Sequence, residues 1–187
     1  WQEPPVLDRA DFPVGILGLG VLGEPVARAV QQFEFPVLGW SRTPKAISGV
    51  RCYAGPSQLA EFLASSRLLV CLLPLTPETK GILNLATLSQ LQPNGYLINA
   101  ARGAHLVEAD LLTLLDSGHL AGATLDVFRT EPLPAEHPYW RHPRVTVTPH
   151  IAGRTVLQDT VQQIAGKIRA LQKGAPIEGL VNRARGY

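Results

Sequence analysis

The chain has 187 residues, 45% of them apolar, enough to bury one sizeable core and better matched to one domain than to two. Seventeen Lys and Arg against fifteen Asp and Glu give a net charge of +2, too small and too evenly spread to point to nucleic acid or an anionic membrane surface. The longest strongly apolar run, Leu68 to Leu73, has six residues where a bilayer span needs about 20.

Residues 1 to 12, WQEPPVLDRADF, contain proline and lack periodicity, so they are expected to be a linker into the first strand. The sequence holds no methionine, even at position 1, which leads to the expectation that it starts inside a longer protein. From residue 14 short aliphatic runs alternate with helical patterns. That alternation predicts parallel strands joined by crossover helices: a doubly wound, Rossmann-type α/β sheet with helices on both faces, over residues 13 to 174. Strands are expected at Val14 to Leu17, Pro36 to Trp40, Val50 to Tyr53, Leu68 to Leu72, Tyr96 to Asn99, Gly122 to Asp126 and Val145 to Thr148. Helices are expected at Leu22 to Phe33, Gln58 to Ala64, Leu85 to Leu91, Glu108 to Ser117 and Thr155 to Lys173. Ser57 and Asp110 fall near helix starts, Gly118 and Gly174 just past ends. Cys52 and Cys71 both fall in strands, where core packing is expected of them and a reducing cytoplasm fits.

The first strand runs into Gly18-Leu19-Gly20-Val21-Leu22-Gly23, one G-x-G-x-x-G opening a helix. Alone the pattern is weak. At a strand-to-helix turn each glycine has its own use, since Gly18 allows the tight turn, Gly20 lets backbone approach a pyrophosphate, and Gly23 lets helix pack on strand. The helix N-terminus then offers free N–H groups to phosphates. An NAD site places Asp or Glu about 20 residues on, at the end of the second strand. Here that window reads Trp40-Ser41-Arg42-Thr43-Pro44-Lys45, with no carboxylate. Ser41 can donate a hydrogen bond, Arg42 can grip a phosphate and Lys45 can add charge, so NADP(H) is expected ahead of NAD(H). An ordinary solvated basic loop is the alternative.

Three later strands end in chemistry. Asn99 leads to Ala100-Ala101-Arg102-Gly103, Asp126 to Val127-Phe128-Arg129-Thr130-Glu131, and Thr148 to Pro149-His150. In an open α/β sheet these positions share the carboxyl edge, where ligands collect. A protonated imidazole at His150 can give a proton to a ketone oxygen, with Glu131 favouring its charged form and fixing its tautomer. Arg102 matches the two oxygens of a carboxylate. The set implies reduction of a 2-oxo acid, although each residue singly could be an ordinary surface or loop group. His105, His119, His137 and His142 show no paired ligand spacing, and no metal is expected.

Five ordered blocks, GLGVLG, LLPLTPETKGILN, GYLINAARG, LDVFRTEPLP and VTVTPHIAG, resemble the D-isomer-specific 2-hydroxyacid dehydrogenases over essentially the whole chain. WSRTPK and the terminal VNRARGY resemble a branch of that family that reduces glyoxylate and hydroxypyruvate. The resemblance implies a catalytic Arg102, an assisting Glu131 and an acid–base His150, with Asp126 near the nicotinamide carboxamide. It also implies that Leu73, Pro74, Thr76 and Thr79 border the adenosine half of the cofactor and that Ala100 and Ala101 border the nicotinamide. Gly153, in the last block, joins the expected cofactor contacts. Members of the family also carry a substrate domain built mainly from about their first hundred residues. The sequence is therefore expected to be the cofactor-binding half, inactive alone, with residues 175 to 187 as a tail returning toward the substrate domain. A homodimer is expected by the same resemblance. Two rivals stay open: a dinucleotide-sensing binding module like the C-terminal-binding-protein corepressors, and an inert cofactor-binding fragment.

Overall fold

The computed structural model describes residues 8–177, 179–181 and 183. Its contacts divide the chain into one unit up to His150 and a second from Ile151. The first seven positions of the expected linker lie outside the described residues. From Asp8, whose carboxylate accepts from Ala10 N at 2.9 Å, Arg9–Asp11 form a tight turn rather than featureless linker.

The first unit is built on seven strands: β1 (Val14–Leu17), β2 (Val37–Ser41), β3 (Val50–Ala54), β4 (Leu68–Cys71), β5 (Gly95–Asn99), β6 (Leu120–Leu125) and β7 (Val145–Val147). All pair in parallel, in the order β3-β2-β1-β4-β5-β6-β7. Crossovers are supplied by α1 (Gly23–Gln31), α2 (Leu59–Ala64), α3 (Leu85–Leu88) and α4 (Glu108–Asp116). The doubly wound α/β architecture expected of the sequence is the one observed.

Alternation along each strand sorts the core into two layers. Val14, Ile16, Val37 and Val70 join Ala27 of α1 on one face of the sheet. Leu17, Leu38, Leu69, Leu97, Ala123 and Leu125 join Phe62 and Leu63 of α2, Leu88 of α3 and Leu111, Leu114 and Leu115 of α4 on the other. Because both faces are covered, central strands read as continuous aliphatic runs, and β1 matches its expected bounds residue for residue. Cys71 lies in the second layer and burial pushes its thiol up to about 12, as suits a packing residue. Cys52 on β3 is half-buried.

Local chemistry shifts several ends. β6 begins at Leu120, before the expected Gly122. α3 stops at Leu88 instead of Leu91, its start fixed by a capping box between Asn84 and Thr87. Ser57 sits inside a short turn, Pro56–Gln58, ahead of α2. Asp110 lies within the first turn of α4, and its carboxylate accepts from Leu85 N at 2.8 Å, capping the neighbouring helix. Gly118 and Gly174 adopt positive φ past their helices.

The second unit holds α5 (Leu157–Gln172), with Leu157, Val161, Ile164, Ile168 and Leu171 along one stripe at helical spacing, all exposed. The terminal VNRARGY falls mostly outside the described residues, as does part of the expected tail. No described helix is long and apolar enough to cross a membrane.

Leu97 stands in the middle of the sheet and is fully buried. Its replacement in Leu97→Ala is expected to cost about 2–5 kcal/mol, read as a lower denaturant midpoint at unchanged slope.

Candidate functional site

Parallel pairing brings the loops after β1, β2, β4, β5, β6 and β7 to one edge of the sheet. At the first of these, Gly18 has φ +111, and a Cβ there would stand 3.0 Å from the backbone of Leu72 and Leu73. Only glycine turns the chain there without strain. Gly23 packs against the Gly18 carbonyl, while a Cβ on Gly20 would meet nothing within 4 Å. Leu19 is buried; Val21 and Leu22 are exposed. No side chain caps α1 at Leu22, so the positive end of the helix dipole faces an open backbone cradle. This is a fit for a pyrophosphate.

The loop after β2 divides its residues by burial. Trp40 is buried and its indole N–H donates to Gly55 O at 2.9 Å, tying β2 to the end of β3. Ser41 is also buried, and its hydroxyl donates to Thr43 O at 2.8 Å, shaping the turn. Arg42, Thr43 and Lys45 are exposed. Lys45 Nζ lies 3.9 Å from Glu24 Oε2 at the start of α1. A carboxylate does reach this region, from elsewhere in the chain: Glu78 is held below the usual carboxylate range, first by a hydrogen bond from Thr76 and in smaller part by the charge of Arg42. Leu73 is buried, and the loop after β4 closes on itself through Thr79 Oγ1, which donates to Pro74 O at 2.7 Å and accepts from Thr76 N at 2.8 Å.

At the end of β5 the buried Asn99 shapes the turn that presents Arg102. Its Oδ1 accepts from Ala101 N and its Nδ2 donates to Arg102 O, each at 3.2 Å. Ala100 is half-buried, Ala101 is buried and Arg102 is exposed, its Nη1 donating to Ala101 O at 2.6 Å. Gly103 is pressed on the next loop: a Cβ there would come within 1.9 Å of the Phe128 carbonyl carbon.

That next loop carries Glu131, and both its oxygens are engaged. Oε1 accepts from Phe128 N at 2.9 Å and Oε2 lies 2.7 Å from His150 Nδ1. The His150 bond, then the Phe128 N–H, hold the Glu131 carboxyl below its usual range. With Nδ1 engaged, Nε2 is the nitrogen left to exchange a proton. His150 sits at φ +53, a conformation that L-residues rarely adopt and that recurs at functional sites. Asp126, buried at the end of β6, accepts from Thr148 Oγ1 at 2.6 Å, two residues before His150. Gly153 belongs to the second unit, where it is exposed. Among the described residues, no three His, Cys, Asp or Glu side chains are grouped to hold a metal ion.

Asn99, Thr148 and Glu78 complete this edge and were not singled out by the sequence. Asn99 was legible as the polar residue closing an aliphatic strand; the other two act across distances that spacing does not encode.

Fold and edge together define a dinucleotide-binding domain of the Rossmann class, with an Arg, Glu and His set at its carboxyl end. Residues 1–152 match the family model described as D-isomer specific 2-hydroxyacid dehydrogenase, NAD binding domain. The chain belongs to that family. It is 51% identical over all 187 residues to glyoxylate/hydroxypyruvate reductase A of Photorhabdus laumondii, and spans 60% of that protein's length. A D-isomer specific 2-hydroxyacid dehydrogenase of Xanthobacter autotrophicus Py2, solved with NADPH and MES, superposes with a TM-score of 0.96 at 44% identity, covering 100% of this chain and 77% of that one. The NADPH-dependent glyoxylate/hydroxypyruvate reductase of Sinorhizobium meliloti, solved with NADP and sulfate, gives 0.96 at 43% identity, covering 100% and 60%.

Two outcomes follow from the geometry. Gly103→Ala is expected to lower stability by about 1–3 kcal/mol through overpacking, read as a drop in Tm. The lowered Glu131 carboxyl contributes stability that is present above the ordinary Glu range, about 4.3, and is lost as pH falls through its folded value. The Tm gap between the wild type and Glu131→Gln is therefore expected to be present at about pH 5 and to close in stronger acid. A gap that failed to close in acid would contradict the pairing.

Proposed function

We propose that this chain is the cofactor-binding part of an NADP-preferring D-2-hydroxyacid dehydrogenase that reduces small 2-oxo acids, glyoxylate to glycolate and hydroxypyruvate to glycerate. The observation that carries the reading is the 2.7 Å His150–Glu131 pair, near enough for the charge of Arg102 to act on the Glu131 carboxyl, on the same sheet edge as the glycine cradle. NAD(H) is the weaker alternative cofactor. The domain spans residues 13 to 174, with 1 to 12 as linker and 175 to 187 as tail toward a substrate domain, without which the chain is inactive. A cytoplasmic homodimer is part of the proposal.

The cradle fits the group. Val21, Leu22 and Gly23 would offer backbone N–H groups to the pyrophosphate, the open side of Gly20 would let it approach, and Arg42 with Lys45 would hold the 2′-phosphate. Leu73, Pro74, Thr76 and Thr79 would border the adenosine; Ala100, Ala101 and Asp126 would border the nicotinamide. When bound, NADPH supplies the hydride. Arg102 holds the substrate carboxylate with two parallel N–H bonds and orients the ketone. His150, charged and held by Glu131 through Nδ1, gives its Nε2 proton to the carbonyl oxygen as that oxygen gains negative charge. Glu131 stays ionised through the step because its carboxyl lies below the ordinary range.

The intact protein is expected to oxidise NADPH faster than NADH with glyoxylate or hydroxypyruvate, and His150→Ala to lower kcat by about 10²-fold or more. Full turnover by His150→Ala would remove the proton-donor role. Arg42→Ala is expected to raise KM for NADPH far more than for NADH, whereas equal effects would count against the 2′-phosphate assignment. Cofactor binding with no turnover of either acid would favour the dinucleotide-sensing reading.

A further inference from the structure

One histidine beside this edge is fully buried and has no part in the proton transfer: His105, the last residue of the turn Gly103–His105 that follows Arg102. Its Nδ1 lies 3.2 Å from Arg102 N and 3.1 Å from Arg102 O, and its Nε2 lies 3.3 Å from Pro74 O. A neutral imidazole has one N–H and one acceptor nitrogen. With the proton on Nε2, that nitrogen donates to Pro74 O while Nδ1 accepts the Arg102 N–H, and both sides of the ring are satisfied. With the proton on Nδ1, the ring donates to Arg102 O, but the Nε2 lone pair is set against the Pro74 oxygen. A doubly protonated ring leaves the Arg102 N–H without its acceptor. Burial favours the neutral form, lowering the pKa.

The far end of the ring is anchored. Pro74 O also accepts the Thr79 hydroxyl at 2.7 Å, so the imidazole braces Arg102 against the self-closed loop after β4. The two segments are then stitched by backbone, Gly81 N to Ala104 O and Leu83 N to His105 O, each at 2.9 Å. These bonds begin beyond Arg102. Arg102 itself is held at its carbonyl by Asn99 Nδ2 and by the backbone N–H of His105, each at 3.2 Å, while its own N–H is held only by the His105 ring among the described residues.

We propose that His105, as the neutral Nε2–H tautomer, is a positioning residue that braces the Arg102 backbone against Pro74 and so sets where the guanidinium meets the substrate carboxylate. The inference rests on reading Arg102 as the carboxylate clamp. Two substitutions divide the brace. In His105→Gln an amide reaches the Nε2 position and the Nδ1 contact is lost; in His105→Asn an amide occupies the Nδ1 position and nothing reaches Pro74.

In the intact protein, His105→Gln is expected to raise KM for the 2-oxo acid about tenfold or more, since small misplacements of a positioning group cost rate steeply. KM for NADPH should change little, and Tm should fall by a similar amount in the two variants, since each gives up one buried contact of the ring. His105→Asn, which keeps the Arg102 contact but gives up the Pro74 anchor, should raise KM for the 2-oxo acid by a smaller but measurable factor, and an unchanged KM in this variant would overturn the anchor. Equal KM values in the two variants, or a KM that simply follows Tm, would show a packing histidine and overturn the proposal. Nitrogen-15 NMR of labelled histidine gives a readout that needs no substrate: at neutral pH the His105 ring should carry its proton on Nε2. A ring protonated on Nδ1, or on both nitrogens, overturns the brace alone. Failure of the unsubstituted protein to reduce any 2-oxo acid instead overturns the functional reading, and the role in substrate binding with it.

Discussion

A strand that pairs only in parallel must be left at one edge of the sheet and re-entered from the other, and here that holds for all seven. The chain therefore has no freedom in where its outgoing loops gather. The glycine turn, the basic loop, the Arg102 turn, the Glu131 loop and His150 are scattered along the sequence yet share one edge of the sheet for this one reason. Hydrophobic burial on both faces makes the constraint rigid: Leu69 and Leu97 share one buried cluster with Phe62, Leu88 and Leu111, and a one-residue slip in register would move these side chains to the opposite face.

Within that edge, precision comes from backbone meeting backbone. Gly103 lies so close to Phe128 that the Arg102 turn and the Glu131 loop act as one piece, and Phe128 N is in turn bonded to Glu131. Glu131 thus links the loop packed against Gly103 to the imidazole of His150. A shift in any one of the three groups is carried to the other two by contacts too short to absorb it. On the proposed reading, an acid–base pair and a carboxylate clamp arranged in this way are preorganised, and little reorganisation remains for the moment of reaction.

Much of this was legible in the amino-acid order. Aliphatic runs bounded by Pro13 and Gly18, or by Asn94 and Ala100, could be nothing but short buried strands, and polar residues at their carboxyl ends marked the site. The start of α3 at Leu85, fixed by Asn84 and Thr87, falls where periodicity puts it, and only its end moves, from Leu91 to Leu88. Partners supplied from afar were illegible. The acid-free window after β2 reads as a purely basic loop, yet the fold brings Glu78 within reach of Arg42's charge from the loop after β4. Ser41 reads as a donor for a ligand, yet its hydroxyl is taken by Thr43 O. His105 reads as one more unpaired histidine because its acceptor, Pro74 O, belongs to another loop. Hydrogen-bond partners are chosen by the fold, and periodicity carries information only about which face is apolar.

The loop after β2 separates support from readout within a few residues. Trp40 and Ser41 face inward and hold the turn, while Arg42, Thr43 and Lys45 face solvent and take no share in the core. On the proposed reading, the side chains that choose between NADP(H) and NAD(H) can therefore be exchanged without disturbing the scaffold that presents them. Cofactor preference in such a domain is an evolvable trait, able to drift by single substitutions while the machinery for chemistry stays fixed.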